Sequence, residues 1–337
     1  MVKAVYTVLI GGNVSSNSRR SVSSSEKKTR QLKKPPLDVK VSAYGCTDVG
    51  LVRTNNEDNF LLVDLSSNSE PTEEINNRKV SKRGSLLVVS DGMGGAQAGE
   101  VASHMAVTVL RTELKKAPTS KPAADQLTEG VQRANYLIWN ESQNNPSKAG
   151  MGATLTAALI RDGKAYIAEV GDSRAYLIRS DSILQVTVDQ SLVELLILAG
   201  ELTREEAENA PIRNVILQAM GTQPEIKVAL TSISLRQNDY LLLCSDGLSN
   251  KVTEAEMLRF TLKASSLEMA CKQLVELAKR RGGEDNITVI IAAFEGEGLA
   301  PESNDPQFRN SIKIVSSFYP IEEDSSKAQS FADPGFF

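Results

Sequence analysis

Histidine and cysteine are scarce in this chain of 337 residues. The single histidine, His104, excludes metal sites built from several histidines and argues against a Ser-His-Asp triad, so we assign it no catalytic role. Three cysteines, an odd number without a C-x-x-C pair, indicate neither a disulfide framework nor a zinc site: Cys46, Cys244 and Cys271. Such thiols are typical of a reducing compartment, which predicts a cytoplasmic protein. Cys46 and Cys244 are interpreted as small core residues.

Long apolar runs are also lacking, and no stretch approaches the roughly 18 residues that a membrane-spanning helix needs. Residues 1–34 are rich in Ser, Lys and Arg, contain one acidic residue and begin with a short apolar run, Ala4 to Ile10. That composition resembles a transit peptide, but a disordered basic tail is the interpretation we favour. Organelle import therefore stays open beside the cytoplasmic prediction.

Charge is distributed unevenly along the chain. Residues 1–40 carry nine Lys/Arg and two Asp/Glu, a net charge of +7, so the remainder carries −4 − 7 = −11. An acidic body argues against a groove that binds nucleic acid. It is compatible with a site that is built from carboxylates and binds cations.

The pattern of hydrophobic residues predicts one folded body between two tails. Residues 1–39 and 296–337 are rich in Ser or Pro without periodicity and are predicted to be disordered, which leaves a single domain at 40–295. Strands are predicted at Leu61–Val63, Ser85–Val89, Thr154–Ile160, Ala165–Val170, Ala175–Ile178, Ile226–Ile233, Tyr240–Cys244 and Ile287–Phe294. Helices are predicted at Gly99–Leu114, Leu127–Ser142, Thr253–Leu262 and Leu267–Arg281. This order favours a layered α+β fold in which helices flank two mainly antiparallel sheets.

Three local features refine this prediction. Asp162-Gly163 is typical of a two-residue hairpin turn, and a second hairpin is predicted around Gln237–Asp239. The first helix carries an apolar stripe of Val101, Met105, Val109 and Leu110. The segment Leu192 to Asn214 is an apolar run followed by charged residues, which predicts a helical insertion between strands. It is either a lid over the site or a packed connection.

Aspartates in short Gly-rich turns are the most informative feature. A single Asp-Gly is usually only a turn, but five Asp-bearing turns recur here, at Asn56-Glu57-Asp58, Ser90–Gly95, Gly171–Arg174, Ser245–Leu248 and Gly283–Asn286. Asp91 and Asp246 each come one serine after an apolar run, so each is predicted to lie where a buried strand ends. Converging carboxylates repel one another unless cations neutralise them, and Mg²⁺ or Mn²⁺ are the hard ions that prefer oxygen ligands.

Two neighbouring features add to this candidate metal site. After Asp91, the run Gly92-Met93-Gly94-Gly95 has few side chains, so that backbone carbonyls can approach an ion. Arg53 lies five residues before Asp58, and its guanidinium matches the geometry of phosphate oxygens. An anionic substrate would need such a counter-charge among carboxylates.

With these motifs the chain resembles the metal-dependent serine/threonine protein phosphatases of the type 2C family, and most of all their bacterial subgroup. The resemblance covers residues 40–295 in family order, at Gly50–Phe60, Leu87–Ser103, Met151–Leu159, Glu169–Tyr176, Thr187–Gly200, Leu243–Asn250 and Gly282–Val289. It implies a four-layer αββα sandwich of two mainly antiparallel sheets flanked by helices. It also implies Mg²⁺ or Mn²⁺ as cofactor, with two ions, a bridging water and a third, weaker ion.

The resemblance assigns roles residue by residue. Asp91 matches the aspartate that bridges both ions, and the carbonyl of Gly92 matches a ligand of one of them. Asp246 and Asp285 match further ligands of the first ion. The remaining matches are the acidic pair beside the second ion, the phosphate-binding arginine and the aspartate that holds a third ion with Asp246: Glu57 and Asp58, Arg53, and Asp172.

The chain departs from the family pattern at three places. Met93 stands where some members carry a histidine, so we expect metal-bound water, and not a side chain, to protonate the leaving group. Asp189-Gln190-Ser191 and Ala210-Pro211-Ile212-Arg213-Asn214 replace two family motifs that contain histidine. Both lie around the candidate lid and bear on substrate preference, not on the metal site.

The expected function is hydrolysis of phosphoserine and phosphothreonine in proteins by water that two divalent ions activate. The expected partners are phosphoproteins made by a Ser/Thr kinase. We expect a monomer that binds neither nucleic acid nor membrane. Three alternatives stay open: a binding or scaffold module with an inactive site, a two-metal nuclease, and a phosphatase of small molecules.

Overall fold

The computed structural model describes residues 38–66, 71–94, 98–302 and 311–320. The strands are β1 (Lys40–Asp48), β2 (Asn59–Asp64), β3 (Glu74–Lys79), β4 (Ser85–Ser90), β5 (Gly92–Met93), β6 (Gly152–Ala153), β7 (Leu155–Arg161), β8 (Lys164–Val170), β9 (Arg174–Arg179), β10 (Ser182–Gln185), β11 (Ala229–Ser234), β12 (Tyr240–Cys244), β13 (Ile287–Glu295) and β14 (Ile312–Ser316). The helices are α1 (Ala98–Lys116), α2 (Ala123–Asn144), α3 (Leu192–Ala199), α4 (Arg204–Glu208), α5 (Asp246–Ser249), α6 (Glu254–Lys263) and α7 (Leu267–Arg280).

Two six-stranded antiparallel sheets form the centre of the fold. The first has the order β10-β9-β12-β13-β1-β3, and the second has the order β14-β11-β8-β7-β4-β2. Strands β5 and β6 form a separate two-stranded ribbon. The α+β prediction of two mainly antiparallel sheets is confirmed, and each predicted strand is present with its ends shifted by three residues or fewer.

Three hydrophobic clusters hold four layers together. One cluster lies between the two sheets and includes Val41, Leu177, Leu87 and Ile167. A second packs α1 and α2 on the outer face of the second sheet. The third packs α6 and α7 on the outer face of the first sheet. The layer order is therefore αββα, as the family resemblance implies.

The four long helices form where the sequence predicts them. The capping box of Thr253 and Glu256 starts α6, and the side chain of Ser266 caps α7. The predicted stripe of α1 is only partly right. Leu110 is buried, but Val101, Met105 and Val109 are partly buried at the edge of the core. Small residues, Ala102 and Ala106 among them, face the sheet instead, and they allow the helix to approach it closely.

One of the two predicted hairpins is correct. Asp162 and Gly163 have φ of 52° and 72°, and they join β7 to β8 in the register Arg161–Lys164. The hairpin around Gln237–Asp239 is wrong, because β11 and β12 lie in different sheets. That segment crosses between the sheets, where the amide of Asn238 donates to the carbonyl of Phe294 over 3.0 Å.

The predicted C-terminal boundary at residue 295 is also wrong. Strand β14 pairs with β11 at the edge of the second sheet, and Tyr319 beyond it is 5% exposed. The strand alternates lysine, valine and isoleucine over only five residues, which is too short for a sequence pattern to distinguish from a tail. The predicted tails otherwise fall on residues 1–37 and 321–337, outside the described residues, as do residues 303–310.

The segment Leu192 to Asn214 is a helical insertion, as predicted, and contains α3 and α4. Its apolar residues are not packed as a core: Leu195 is 40% exposed, whereas Glu194 is 6% exposed and contacts Arg204 over 3.5 Å. The insertion leaves the body at Ser191, which pairs with Ile216 where the chain returns. Whether it acts as a lid stays a prediction.

The single histidine and the three cysteines differ in their exposure to solvent. His104 is exposed on α1, and all three cysteines are free, with Cys244 and Cys271 buried and Cys46 half-buried. Among the described residues, no helix is both long and apolar enough to span a bilayer.

Candidate active site

The sheet register brings the predicted acidic residues to one end of the sandwich. Asn59 pairs with Ser90, so Asp58 and Asp91, which lie next to that pair, are neighbours. Strands β12 and β13 are antiparallel, and Cys244 pairs with Val289, so Asp246 and Asp285 flank the same strand ends. The prediction that Asp91 and Asp246 lie at the ends of strands is therefore confirmed.

Asp172 reaches the same region from the turn between β8 and β9, where the chain passes from one sheet to the other. Gly171 has φ of 100°, and a Cβ there would lie 2.8 Å from Cγ2 of Thr154. The hydroxyl of Thr154 accepts from the amide of Asp91 over 2.9 Å and is 2.7 Å from the hydroxyl of Ser173. Thr154 thereby connects the turn of Asp91 with the turn of Asp172. No pattern of charges or glycines in the sequence indicates this role.

Asp58 is the most deeply buried acidic residue of the group, with 4% of its surface exposed. Its Oδ2 accepts hydrogen bonds from the hydroxyls of Ser245 over 2.8 Å and Thr288 over 2.6 Å. Its Oδ1 is buried without a hydrogen-bond partner. Burial raises the pKa of Asp58 to about 7, against the lowering effect of the two hydroxyls.

The carboxylates raise one another's pKa as well. Burial raises the pKa of Asp91 well above its usual range, and Asp58, Asp246 and Asp172 add repulsion. Burial and then Asp246 raise the pKa of Asp172 to about 7. Burial and Asp285 raise the pKa of Asp246, whereas a hydrogen bond with Asp91 lowers it. A bound cation would relieve this repulsion among the carboxylates.

Position 92 requires a glycine, because the backbone at Glu57 and at Gly99 comes close to it. Its amide donates to the carbonyl of Glu57 over 3.2 Å, and a Cβ at Gly92 would lie 2.2 Å from the carbonyl oxygen of Gly99. Burial raises the pKa of Glu57, and its carboxylate lies near Gly99 at the start of α1. Glycine at position 92 thus leaves room for Glu57 and for the helix start.

Asn286 is a structural residue of the site that the sequence did not single out as functional. Its side-chain amide donates to the carbonyls of Val49 and Asn55, each over 3.0 Å, and its Oδ1 accepts from the amide of Glu57 over 2.8 Å. These three bonds fix the loop that carries Arg53. Asn286 directly follows Asp285, and that adjacency is the only signal in the sequence.

Replacing Asn286 by aspartate is expected to lower kcat/KM by about tenfold to a hundredfold. A carboxylate cannot donate to the two carbonyls, which leaves them without that partner and loosens the Arg53 loop. Steady-state phosphate release measures the effect, and Asn144→Asp in the last turn of α2, where Nδ2 donates to the carbonyl of Asn140 over 2.8 Å, is the matched control. Equal activity of the two variants would contradict the role of Asn286.

Arg53 is paired with one of the predicted metal ligands. Its Nε lies 3.0 Å from Oδ1 of Asp285, and its Nη2 donates to Oδ2 over 3.1 Å, a two-pronged contact. The side chain of Arg53 is 51% exposed, and the adjacent Leu51 and Val52 are also exposed. Arg53 therefore lies at the rim, where it can reach a phosphate group from solvent.

The donor atoms suit a divalent cation. Oδ1 of Asp58 and Oδ1 of Asp246 are both buried without a hydrogen-bond partner, and carboxylate oxygens are the ligands that Mg²⁺ and Mn²⁺ prefer. Among the residues that the structure describes, no three His, Cys, Asp or Glu side chains are grouped closely enough to bind a metal ion as they stand.

Two of the three departures from the family pattern, at Met93 and at 189–191, lie next to residues of the candidate site. Met93 is half-buried in β5. Asp189 binds Arg174 with both carboxylate oxygens, over 3.0 and 2.7 Å. Gln190 accepts from the amide of Gly171 over 3.0 Å. Residues 210–214 follow α4 in the insertion.

Comparison with known proteins decides the family. The family model described as protein phosphatase 2C matches residues 74–279. The chain belongs to the protein phosphatase 2C family. It is 36% identical over 248 residues to the serine/threonine phosphatase stp of Listeria innocua, an alignment that covers 73% of this chain and 92% of that protein. The chain is thus a metal-dependent protein serine/threonine phosphatase, and phosphoproteins are its substrates.

Solved structures of related phosphatases have the same fold. The serine/threonine phosphatase Stp1 of Staphylococcus aureus is 37% identical with a TM-score of 0.67, over 75% of this chain and 95% of that one. The catalytic domain of the serine/threonine protein phosphatase PstP, in complex with two manganese ions, is 33% identical with a TM-score of 0.64. That match covers 76% of this chain and 99% of the PstP domain.

Proposed function

We propose that this phosphatase hydrolyses phosphoserine and phosphothreonine by direct attack of water at a site for two Mg²⁺ or Mn²⁺ ions. The observation that carries the proposal is the cluster of Asp58, Asp91, Asp246 and Asp285, whose negative charges repel one another. The Oδ1 atoms of Asp58 and Asp246 are buried and accept no hydrogen bond. When bound, two divalent ions lower the pKa of a shared water and neutralise phosphoryl oxygens. The Mn-bound PstP neighbour supports the cofactor assignment.

The proposed metal ligands fall into two groups, one for each ion position. Asp91 and the carbonyl of Gly92 hold the centre of the site, and Asp246 and Asp285 complete the first ion position. Glu57 and Asp58 would lie beside the second. Asp58 is fixed by Ser245 and Thr288, so its free Oδ1 is the atom it presents to a cation.

Arg53 binds and orients the phosphate group. Its guanidinium already forms a two-pronged contact with a carboxylate, and a phosphate group offers the same arrangement of oxygens. As negative charge redistributes among the phosphoryl oxygens, a fixed positive group there stabilises the transition state. No side chain needs to become phosphorylated.

Asp172 and Asp246 would hold a third, weaker ion. The charges of both residues raise the pKa of Asp91, and the charge of Asp246 also raises the pKa of Asp172. The two carboxylates are therefore close enough to interact. Met93 offers no proton, which supports protonation of the leaving oxygen by water bound in the site. Substrates made by a Ser/Thr kinase, a monomeric state, absence of nucleic acid or membrane binding and a cytoplasmic location stay predictions.

Phosphate release from a phosphothreonine peptide tests the proposal. Release is expected in Mn²⁺, is expected to stop in excess EDTA, and is expected to return when Mn²⁺ exceeds the chelator. Parallel assays with p-nitrophenyl phosphate and a DNA duplex address the alternatives. We expect a higher kcat/KM for the phosphopeptide than for p-nitrophenyl phosphate. We also expect no DNA cleavage, because the acidic body repels a DNA duplex.

Each alternative has its own outcome. Folded protein that releases no phosphate at saturating Mn²⁺ would favour an inactive scaffold. A higher kcat/KM for p-nitrophenyl phosphate than for several phosphopeptides would favour a small-molecule phosphatase, and metal-dependent nicking of DNA would favour a nuclease.

A further inference from the structure

The C-terminal strap, residues 311–320, contacts the body next to the candidate site. It lies beyond residues 74–279, which match the family model, and its strand β14 adds an edge to the second sheet. Tyr319 follows this strand and is 5% exposed, and the carbonyl of Phe318 accepts from Nζ of Lys227 over 3.1 Å. The strap is therefore anchored by the pairing of β14 with β11 and by the contact of Lys227 with Phe318.

The hydroxyl of Tyr319 binds one turn of the body. It donates to the carbonyl oxygen of Asp189 over 2.8 Å and lies 3.1 Å from that of Ser191. Burial raises the pKa of Tyr319, and nearby Glu194 and Asp189 raise it further, so the hydroxyl keeps its proton and stays a donor. The tyrosine thus spans the residue between, Gln190.

Gln190 carries this contact to the turn that bears Asp172. Its backbone amide donates to the carbonyl of Gly171 over 2.9 Å, and its side-chain Oε1 accepts from the amide of Gly171 over 3.0 Å. The same Oε1 accepts from Nε2 of Gln218 over 2.9 Å. The Tyr319 hydroxyl and the two hydrogen bonds between Gln190 and Gly171 therefore connect the strap to the residue immediately before Asp172.

The same turn is the root of the helical insertion. The hydroxyl of Ser191 caps α3, and the amide of Leu192 donates to the carbonyl of Val215 over 2.8 Å, where the insertion returns. A contact that fixes residues 189–191 consequently fixes both the orientation of Asp172 and the base of the insertion.

From these contacts we infer that Tyr319 is a positioning residue: it fixes the 189–191 turn, and through Gln190 it sets Asp172 for the third, weaker cation. The inference rests on the proposed function, which assigns that cation to Asp172 and Asp246. Tyr319 touches neither substrate nor ion and acts only through this turn.

Mn²⁺ binding by the full chain tests the inference directly. Tyr319→Phe removes one hydroxyl and keeps the ring, and Tyr166→Phe on β8 of the same sheet is the matched control. Free Mn²⁺ measured by electron paramagnetic resonance gives each binding isotherm without an activity assay. We expect Tyr319→Phe to weaken the weakest Mn²⁺ step by about threefold to tenfold, and the control to leave it unchanged.

Limited trypsin digestion supplies a second readout that needs no metal. Cleavage after Arg204 and Arg213, both exposed in the insertion, is expected to be about threefold faster in Tyr319→Phe in EDTA. Mass spectrometry identifies the cuts, and Tyr166→Phe again serves as control.

The failures can be told apart with Asp172→Asn. If Asp172→Asn weakens the weakest Mn²⁺ step but Tyr319→Phe matches wild type in both isotherm and digestion, the positioning role is overturned and the metal assignment stands. If Asp172→Asn leaves the isotherm unchanged, the assignment of the third ion is overturned, and the inference about Tyr319 fails with it.

Discussion

Asp91→Asn is expected to lower kcat by about a thousandfold or more, equivalent to about 4 kcal/mol in the activation barrier. Asp91 lies at the end of β4, and four other aspartates contribute to its raised pKa, so it occupies the electrostatic centre of the cluster. Asparagine has the same shape but carries no charge, and it cannot neutralise two cations at once. Phosphate release at saturating Mn²⁺ from a phosphothreonine peptide measures the loss.

Asp162→Asn is the matched control for this substitution. Asp162 is exposed in the β7–β8 turn with φ of 52°, a conformation that asparagine also tolerates. The activity of this variant should therefore stay within about twofold of wild type. In EDTA, Asp91→Asn should be at least as stable as wild type, because the substitution removes a charge that its neighbours repel. An Asp91→Asn enzyme within tenfold of wild-type kcat would contradict the central role of Asp91.

A second large effect concerns stability in the absence of metal. In EDTA, the free energy of unfolding is expected to fall by about 3 kcal/mol or more between pH 5 and pH 8. Asp58 and Asp172 have pKa values of about 7 in the folded chain against a usual value of 3.8. Between these values the folded state binds more protons than the unfolded state, so stability falls as the pH rises and levels off above the folded pKa.

Urea unfolding followed by circular dichroism measures this pH dependence. Asp172→Asn should flatten the curve, since it removes one of the groups that must lose a proton. Saturating Mg²⁺ should stabilise the chain more at pH 8 than at pH 5, because protons and cations compete for the same carboxylates. A stability that rises with pH in EDTA would contradict the raised pKa values.

The sequence predicted the fold as far as its signals were local. Strand β12 is apolar over its whole length and was predicted with the correct ends, and Asp162-Gly163 predicted its hairpin from turn chemistry alone. Strand β3 was missed because most of its residues are exposed and polar, and β14 because it is short. The segment 237–239 was misjudged, since a turn pattern does not reveal which sheet the next strand joins.

The candidate site was predicted from its charged residues but not from the neutral ones that hold them. Asp91 and Asp246 stood out because each comes after an apolar run and is followed by glycine. Thr154 and Asn286 fix those turns through hydrogen bonds to residues far away in the chain, and their sequence neighbourhoods carry no comparable signal. Tyr319 was placed in a disordered tail, because its partners are two carbonyls that only the folded chain brings near.

The pairing of Arg53 with Asp285 has a thermodynamic consequence. The guanidinium cannot bind Asp285 and a phosphate group with the same two nitrogens. An ion that takes Asp285 as ligand therefore releases Arg53, so metal and phosphoprotein act as mutual effectors, each raising the affinity of the other by the same factor. On this basis the phosphatase would respond to lower divalent cation concentrations when substrate is present than when it is absent.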